Sequence, residues 1–255
     1  MKTFKIVNRD DEKSKELTAV LTQKLNAKGL KEALIPDYVI VVGGDGTFLK
    51  AVHQYLEHLD KLLFIGIHTG TLGFLNDYQA DELETFIDDL TGSEPQISSY
   101  RLLRFDSAKG QCYSVNEMRI ENIYKTQSLA VYANDEYVET VRGTGVCISG
   151  QLGSTAYNRS LGGSVIQNGL ELLQLCEVTS LRNSIYRSLA SPIIFDPSTI
   201  ISLRSDDFEQ CSLLYDYFDL SLGGLKEISI ALSDKKLRIA RFRPYNYNAH
   251  LRTLY

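Results

Sequence analysis

Apolar positions follow two different rhythms along this chain, and the change between them marks an expected division into two structural parts. Thr3–Val7 and Tyr38–Val42 read as short strands. Leu62–Ile67 is an unalternating apolar run, the pattern of a strand buried on both faces. Leu17, Val20, Leu21 and Leu25 predict a helix over Ser14–Ala27, ended by Gly29. Phe48, Leu49, Val52, Leu56 and Leu59 predict a second, with Thr47 as its N-cap. Strand, helix, strand, helix, strand is the order of a parallel sheet. A short acidic helix is expected over Gln79–Leu90.

From Pro95 onward the segments shorten and become β-rich. Strands are expected at Ile97–Phe105, Cys112–Ile120, Leu129–Ala133, Tyr137–Val141, Ile200–Leu203 and Ile228–Ala231. Asn134-Asp135-Glu136 has the residue types of a hairpin loop, and Gly169–Leu181 is the one clear helix expected in this half. The expected fold is an α/β N-terminal domain with a parallel sheet over residues 1–95, followed by a β-rich C-terminal domain over 96–240. A tail rich in Arg and Tyr, residues 241–255, is expected to pack back.

Composition narrows the class without altering this architecture. With 44% hydrophobic and 23% charged residues, the 255-residue chain has the make-up of an ordinary globular protein. A net charge of −5 supplies no basic field for nucleic acid or an anionic membrane, so neither is expected as a partner. No apolar run reaches the roughly 18 residues of a membrane span. Met1–Val7 lacks the apolar core of a secretory signal, and a cytoplasmic location is expected. Cys112, Cys147, Cys176 and Cys211 are far apart and read as reduced and structural. His53, His58, His68 and His250 form no metal or triad pattern, so no protein-held metal site is expected.

The chemistry-bearing stretch is Gly43-Gly44-Asp45-Gly46, placed between a buried strand and a helix. Glycine lets backbone approach a ligand closely, and N–H groups at a helix start can cradle phosphate. The plainer alternative is a tight turn in which Asp45 caps the helix. It is neither a Walker loop nor a dinucleotide fingerprint. A second candidate is Val141–Gly163, with glycines at positions 143, 145, 150, 153, 162 and 163 interleaved with hydroxyls. It reads equally as an anion-binding segment or as bulges and turns between strands. Asn116-Glu117, ending an apolar run, could hydrogen-bond ribose hydroxyls or be an exposed strand end.

Together these stretches resemble the motifs of the NAD kinase family, in particular its short bacterial forms. Gly43-Gly44-Asp45-Gly46 is similar to the first motif and His68-Thr-Gly-Thr-Leu-Gly-Phe74 to its neighbour. Asn116-Glu117 is similar to the third, and Gly153–Tyr157 with Ser160, Gly162 and Gly163 to the long glycine-rich one. The resemblance implies phosphoryl transfer from ATP or polyphosphate to the adenosine-ribose 2′-hydroxyl of NAD, with a divalent metal ion, Mg²⁺, as cofactor. Asp45 is then the catalytic proton acceptor, and Gly43, Gly44 and Gly46 form the phosphate loop. Carboxylates are weak bases toward a ribose hydroxyl, so Asp45 takes the proton late while orienting the oxygen for in-line attack.

By the same resemblance Gly46, Phe74, Asn116 and Glu117 bind substrate, the last two at the ribose. Thr155, Ala156, Tyr157, Asn158 and Ser160 hold the rest of the dinucleotide, with Arg142, Thr144 and Tyr217 at its rim. Family members are homo-oligomers that share the NAD site between subunits, which implies a homodimer or homotetramer. The chain departs from the pattern in three places. Thr144 replaces an Asp, Gly150-Gln151-Leu152-Gly153 replaces Thr-Pro-Thr-Gly, and Tyr217 follows Asp216 where Gly or His is usual. These departures point to altered nucleotide recognition and not to lost phosphoryl transfer, because Asp45 is kept. Two alternatives remain open here: a lipid or sphingoid kinase on the same scaffold, and a non-catalytic NAD-binding sensor.

Overall fold

Five consecutive buried residues need apolar surroundings on both sides, and Tyr38–Val42 finds them at the centre of a parallel sheet. The computed structural model describes residues 2–70, 73–206 and 208–252; Thr71 and Leu72 of the His68–Phe74 motif, and the last three residues of the tail, lie outside these. The chain divides into two compact units, Met1–Ser99 with Lys235–Tyr255, and Tyr100–Asp234.

The first unit contains β1 (Thr3–Asn8), α1 (Glu12–Ala27), β2 (Lys31–Glu32), β3 (Tyr38–Val42), α2 (Asp45–Gln54), β4 (Leu63–His68), β5 (Tyr78–Gln79) and α3 (Leu83–Gly92). β1 lies between β2 and β3, and β3 pairs in parallel with β4 from Tyr38↔Leu63 to Val42↔Ile67. α1 starts earlier than expected because Asp11 caps it, accepting from Ser14 N at 3.0 Å. Leu21 and Leu25 of α1 join Phe86, Ile87 and Leu90 of α3 in one core with Phe4, Ile40 and Ile65. Strand side chains alternate, so Phe64 points to the opposite face, where its ring lies 5.9 Å from that of Phe48 on α2.

The chain continues through β6 (Gln96–Ser107), β7 (Gly110–Ser114), β8 (Glu117–Glu121), β9 (Gln127–Ala133), β10 (Glu136–Gly143), β11 (Gly145–Ser149) and α4 (Tyr157–Ser160). It then forms β12 (Leu173–Val178), β13 (Ile193–Phe195), β14 (Ile201–Arg204), β15 (Ser212–Tyr215), β16 (Phe218–Ser221) and β17 (Glu227–Arg241). In the second unit one antiparallel sheet runs β10-β9-β14-β17 with β6 beside β17, and another runs β13-β12-β11-β8-β15-β16. Phe105, Leu129 and Leu203 of the first share a core with Ile120, Ile148 and Leu213 of the second. Asn134 and Asp135, at φ 49° and 66°, make the two-residue hairpin turn between β9 and β10.

Three expectations change. Gly169–Leu181 is not a helix: residues 173–178 are β12, with Cys176 opposite Cys147 and Leu175 opposite Ile148 of β11. Pairing overrides the helical leaning of a leucine-rich stretch. Cys112–Ile120 is not one strand but two, β7 and β8, which belong to different sheets. Residues 235–240, placed by sequence with the β-rich part, cluster with the first unit, where Ile239 pairs in parallel with Phe64. All four cysteines are free.

Candidate active site

The turn out of β3 is built from glycine for want of room. A Cβ on Gly43 would stand 2.4 Å from Thr47 Oγ1. Gly44 O accepts from Thr47 N at 3.0 Å and from Phe48 N at 3.1 Å, so Gly44 is the N-cap. The helix therefore begins at Asp45, and Thr47 lies inside it instead of capping it. Asp45 carries a helix-start carboxylate, and the loop after β4 comes to meet it. Phe74 N donates to Asp45 Oδ2 at 2.9 Å, while Leu75 N and Asn76 Nδ2 donate to Oδ1, both at 3.2 Å.

Gly73 makes that approach feasible, since a Cβ there would stand 2.2 Å from Asp45 Oδ1. Asn76 is fully buried and lies against Gly66, where a Cβ would come within 2.1 Å of Asn76 Oδ1. Asn76 was not a sequence candidate. Its place two residues beyond Phe74 was the available signal, but nothing local says that its amide turns back to Asp45. Within the first unit the structure thus brings together Gly43, Gly44, Asp45, Gly46 and Phe74.

These residues do not fit a protein-held divalent cation. Such a cation needs several free oxygen ligands, whereas the Asp45 carboxylate already accepts three N–H bonds. Among the described residues no group of three or more His, Cys, Asp or Glu could hold a metal.

In the second unit the turn between β7 and β8 is pinned from a distance of a hundred residues. Asp216 Oδ1 accepts from Ser114 Oγ at 2.8 Å and from Asn116 N at 2.9 Å, and its Oδ2 accepts from Val115 N at 2.9 Å. Asp216 itself sits at φ 48° in the turn between β15 and β16, leaving its neighbour Tyr217 exposed. Glu117 opens β8 as a buried carboxylate whose Oε2 has no partner among the described residues. Burial, then the nearby Asp216 charge, push its carboxyl up to about 7, against the opposing pull of Arg119 and the Tyr157 N–H.

The glycine-rich segment is fused to this turn. A Cβ on Gly153 would stand 1.8 Å from Asn116 O, so only glycine permits the contact. Thr155 and Ala156 lead into α4, where the Arg119 guanidinium lies 4.2 Å from the centre of the Tyr157 ring. Ser160 is exposed at the end of that helix. Asn158 is buried and turned inward: its Oδ1 accepts from Cys176 Sγ at 3.0 Å and its Nδ2 donates to Ser154 O at 3.3 Å. Asn116, Glu117, Thr155, Ala156 and Tyr157 are brought together, with Asn158 bracing them from beneath.

Arg142 and Thr144 are not part of that group. Ser149 pairs with Glu117, but Gly145 pairs with Glu121, so Thr144 lies at the other end of β11. At about 3.3 Å per residue the five intervening steps span roughly 16 Å. Thr144 N and Oγ1 both donate to Val178 O at 3.1 Å. Arg142 Nη1 donates to Ser128 Oγ at 3.1 Å, and its guanidinium lies over the Tyr186 ring.

Comparison with known proteins gives the family. Residues 7–94 match the model of the ATP-NAD kinase N-terminal domain and residues 115–241 that of the ATP-NAD kinase C-terminal domain. The NAD kinase of Lactobacillus gasseri is 35% identical over 213 residues, covering 82% of this chain and 80% of that one. In fold the chain is similar to yeast NADH kinase, solved in complex with NADH, with a TM-score of 0.84 at 17% identity over 100% of this chain and 86% of that one. It is also similar to an NAD kinase from Archaeoglobus fulgidus, solved in complex with ATP, with a TM-score of 0.79 at 19% identity over 99% of both chains. With both domain models matched and a relative aligned over most of its length, the chain belongs to the NAD kinase family.

Proposed function

We propose that this NAD kinase uses Asp45 as the proton acceptor when the adenosine-ribose 2′-hydroxyl of NAD attacks the terminal phosphorus of ATP. The observation that carries this reading is the uneven use of the carboxylate. Oδ1 accepts two bonds and Oδ2 one, so among the described residues Oδ2 keeps a lone pair for the hydroxyl. The ribose O–H proton passes to Oδ2, a new O–P bond forms, and the bond to the bridging oxygen of ADP breaks. The first N–H groups of α2, at Asp45 and Gly46, have no acceptor within the helix and suit the donor's phosphates. Gly43 and Gly44 keep side chains out of the way.

Asn116 and Glu117 hold the ribose, with the unpartnered Glu117 Oε2 as acceptor for a hydroxyl. In the first unit Phe74 binds substrate beside Asp45; in the second unit Thr155, Ala156, Tyr157 and Ser160 line the remainder of the dinucleotide site, with Tyr217 at its margin. Asn158 supports them without touching the ligand. Arg142, on β10, and Thr144, at the far end of β11, serve the site of a neighbouring copy in a homodimer or homotetramer. NAD kinases generally need a divalent metal; we assign Mg²⁺, carried by the donor's phosphates. No helix among the described residues is long and apolar enough to cross a membrane, and we place the enzyme in the cytoplasm. The matches name NAD and NADH kinases and favour neither a lipid kinase nor a silent sensor.

The test is product formation from NAD with Mg²⁺ and either ATP or polyphosphate. NADP is the expected product with at least one donor. No NADP with either would overturn the reading, and phosphorylation of a sphingoid or diacylglycerol instead would select the lipid kinase.

A further inference from the structure

The loop that holds Asp45 is itself held, by the far end of the chain. After β17 the tail leads into α5 (Tyr247–Arg252), within the first unit. Arg241 forms an ion pair with Asp77, and Arg243 one with Glu82 at 2.7 Å, so the tail is fastened just beyond Asn76. Buried His250 places Nδ1 3.0 Å from Gly73 O. A carbonyl oxygen only accepts, so Nδ1 carries the proton in this bond. Tyr245 Oη donates to Phe74 O at 3.3 Å. The rings of His250 and Tyr247 also lie 5.9 and 6.0 Å from that of Phe74.

These two carbonyls are the other ends of the peptide groups that face Asp45. Gly73 C=O and Phe74 N–H belong to one planar group, and Phe74 C=O and Leu75 N–H to the next. One face of each group is bonded to the tail and the other to the carboxylate: His250 and Asp45 Oδ2 bracket the first, Tyr245 and Asp45 Oδ1 the second. A planar group gripped at both ends cannot rotate without breaking a bond, and each bond polarises the next.

We infer that His250 and Tyr245 are positioning residues that orient Asp45 through these two peptide groups, making the C-terminal tail part of the catalytic apparatus. The inference rests on the reading of Asp45 as proton acceptor. Both side chains bond to the backbone of the loop. Their effect falls on kcat, where the direction of Oδ2 matters, and not on the binding of NAD or ATP.

Conservative variants test this while keeping the fold. His250→Phe and Tyr245→Phe keep the rings and remove the donors, whereas His250→Asn keeps a donor near the Nδ1 position. Each Phe variant is expected to lower kcat about fivefold to tenfold, as for loss of one modest hydrogen bond. KM for NAD and for ATP should stay within about twofold, and His250→Asn should recover most of the loss. Amide hydrogen exchange at Phe74 and Leu75 gives a readout independent of activity. It should quicken about tenfold in the corresponding Phe variant, while exchange in β3 stays unchanged.

Unchanged kcat in both Phe variants, or a rise in KM with kcat preserved, would overturn the assignment. So would unchanged exchange at both amides. If the wild type forms no NADP, the role of Asp45 falls on its own, and the exchange measurement still decides whether the tail holds the loop.

Discussion

Gly73 is packed so tightly against Asp45 that a Cβ at position 73 would stand 2.2 Å from Oδ1 of the carboxylate. The atom met belongs to the carboxylate whose Oδ2 must be aimed at the substrate, so the conflict cannot be resolved without moving either loop or base. Gly73→Ala is expected to lower kcat by about a hundredfold or more and to cost roughly 1–3 kcal/mol of stability, as for overpacking at a close contact. Steady-state kinetics and thermal denaturation check this, and an Ala variant with wild-type kcat would show that the loop has slack.

Among the described residues Asn76 makes the one side-chain hydrogen bond to the carboxylate, at 3.2 Å, from a fully buried position. Asn76→Ala removes that donor and leaves a small void, for an expected loss of about 1–2 kcal/mol in stability and about tenfold in kcat. Asn76→Asp should be worse than Ala at neutral pH, because it sets a second negative charge against Asp45. Equal kcat in the two variants would contradict this.

Glu117 gives the account its pH dependence. Its carboxyl titrates at about 7 in the folded chain against an ordinary value of 4.5, chiefly through burial. Ionisation therefore works against the fold. The stability associated with the neutral form is fully present below pH 4.5 and is lost as pH rises through about 7. Glu117→Gln should remove a penalty of up to about 3 kcal/mol at pH 8 and little at pH 4. Activity runs the other way, because the ionised carboxyl is the stronger acceptor for a ribose hydroxyl. The wild-type kcat/KM for NAD should rise with an acid limb near pH 7 that Glu117→Gln lacks. A limb that persists in the variant belongs to another group.

Asp216 fixes the turn that presents Asn116, through bonds of 2.8 and 2.9 Å to three successive residues. Asp216→Ala removes the common acceptor and should raise KM for NAD about tenfold, with a smaller change in kcat. Asp216→Asn tolerates the left-handed backbone but supplies one acceptor oxygen, so it should fall between. A kcat defect with KM unchanged would place the turn in the chemistry and not in binding.

What was legible in the sequence was whatever is decided locally. An apolar run from Tyr38 to Val42, two glycines and then a carboxylate describe a buried strand turning into a helix, and the chain does so within a residue or two. The hairpin at Asn134-Asp135 was legible for the same reason. What was not legible depends on partners far along the chain. Leu173–Val178 has a leucine content that suits a helix until β11 pairs with it. The break between Ser114 and Glu117 has no local signal, because the acceptor that makes it is Asp216. The roles of Asn76 and His250 are hidden likewise, because they come from groups 31 and 177 residues away. Motif matching named Asn158 and Thr144 as ligand contacts, but it could not show that both side chains make hydrogen bonds within the second unit.

The most direct test of the central claim is the rate of NADP formation by Asp45→Asn beside the wild type, with ATP, Mg²⁺ and saturating NAD. Asparagine keeps the size of the side chain and one acceptor oxygen but cannot take a proton. A fall in kcat of about a thousandfold or more is predicted, with KM for NAD changed less than about threefold and the protein still folded. A variant that keeps kcat within about tenfold of the wild type would show that Asp45 is not the proton acceptor.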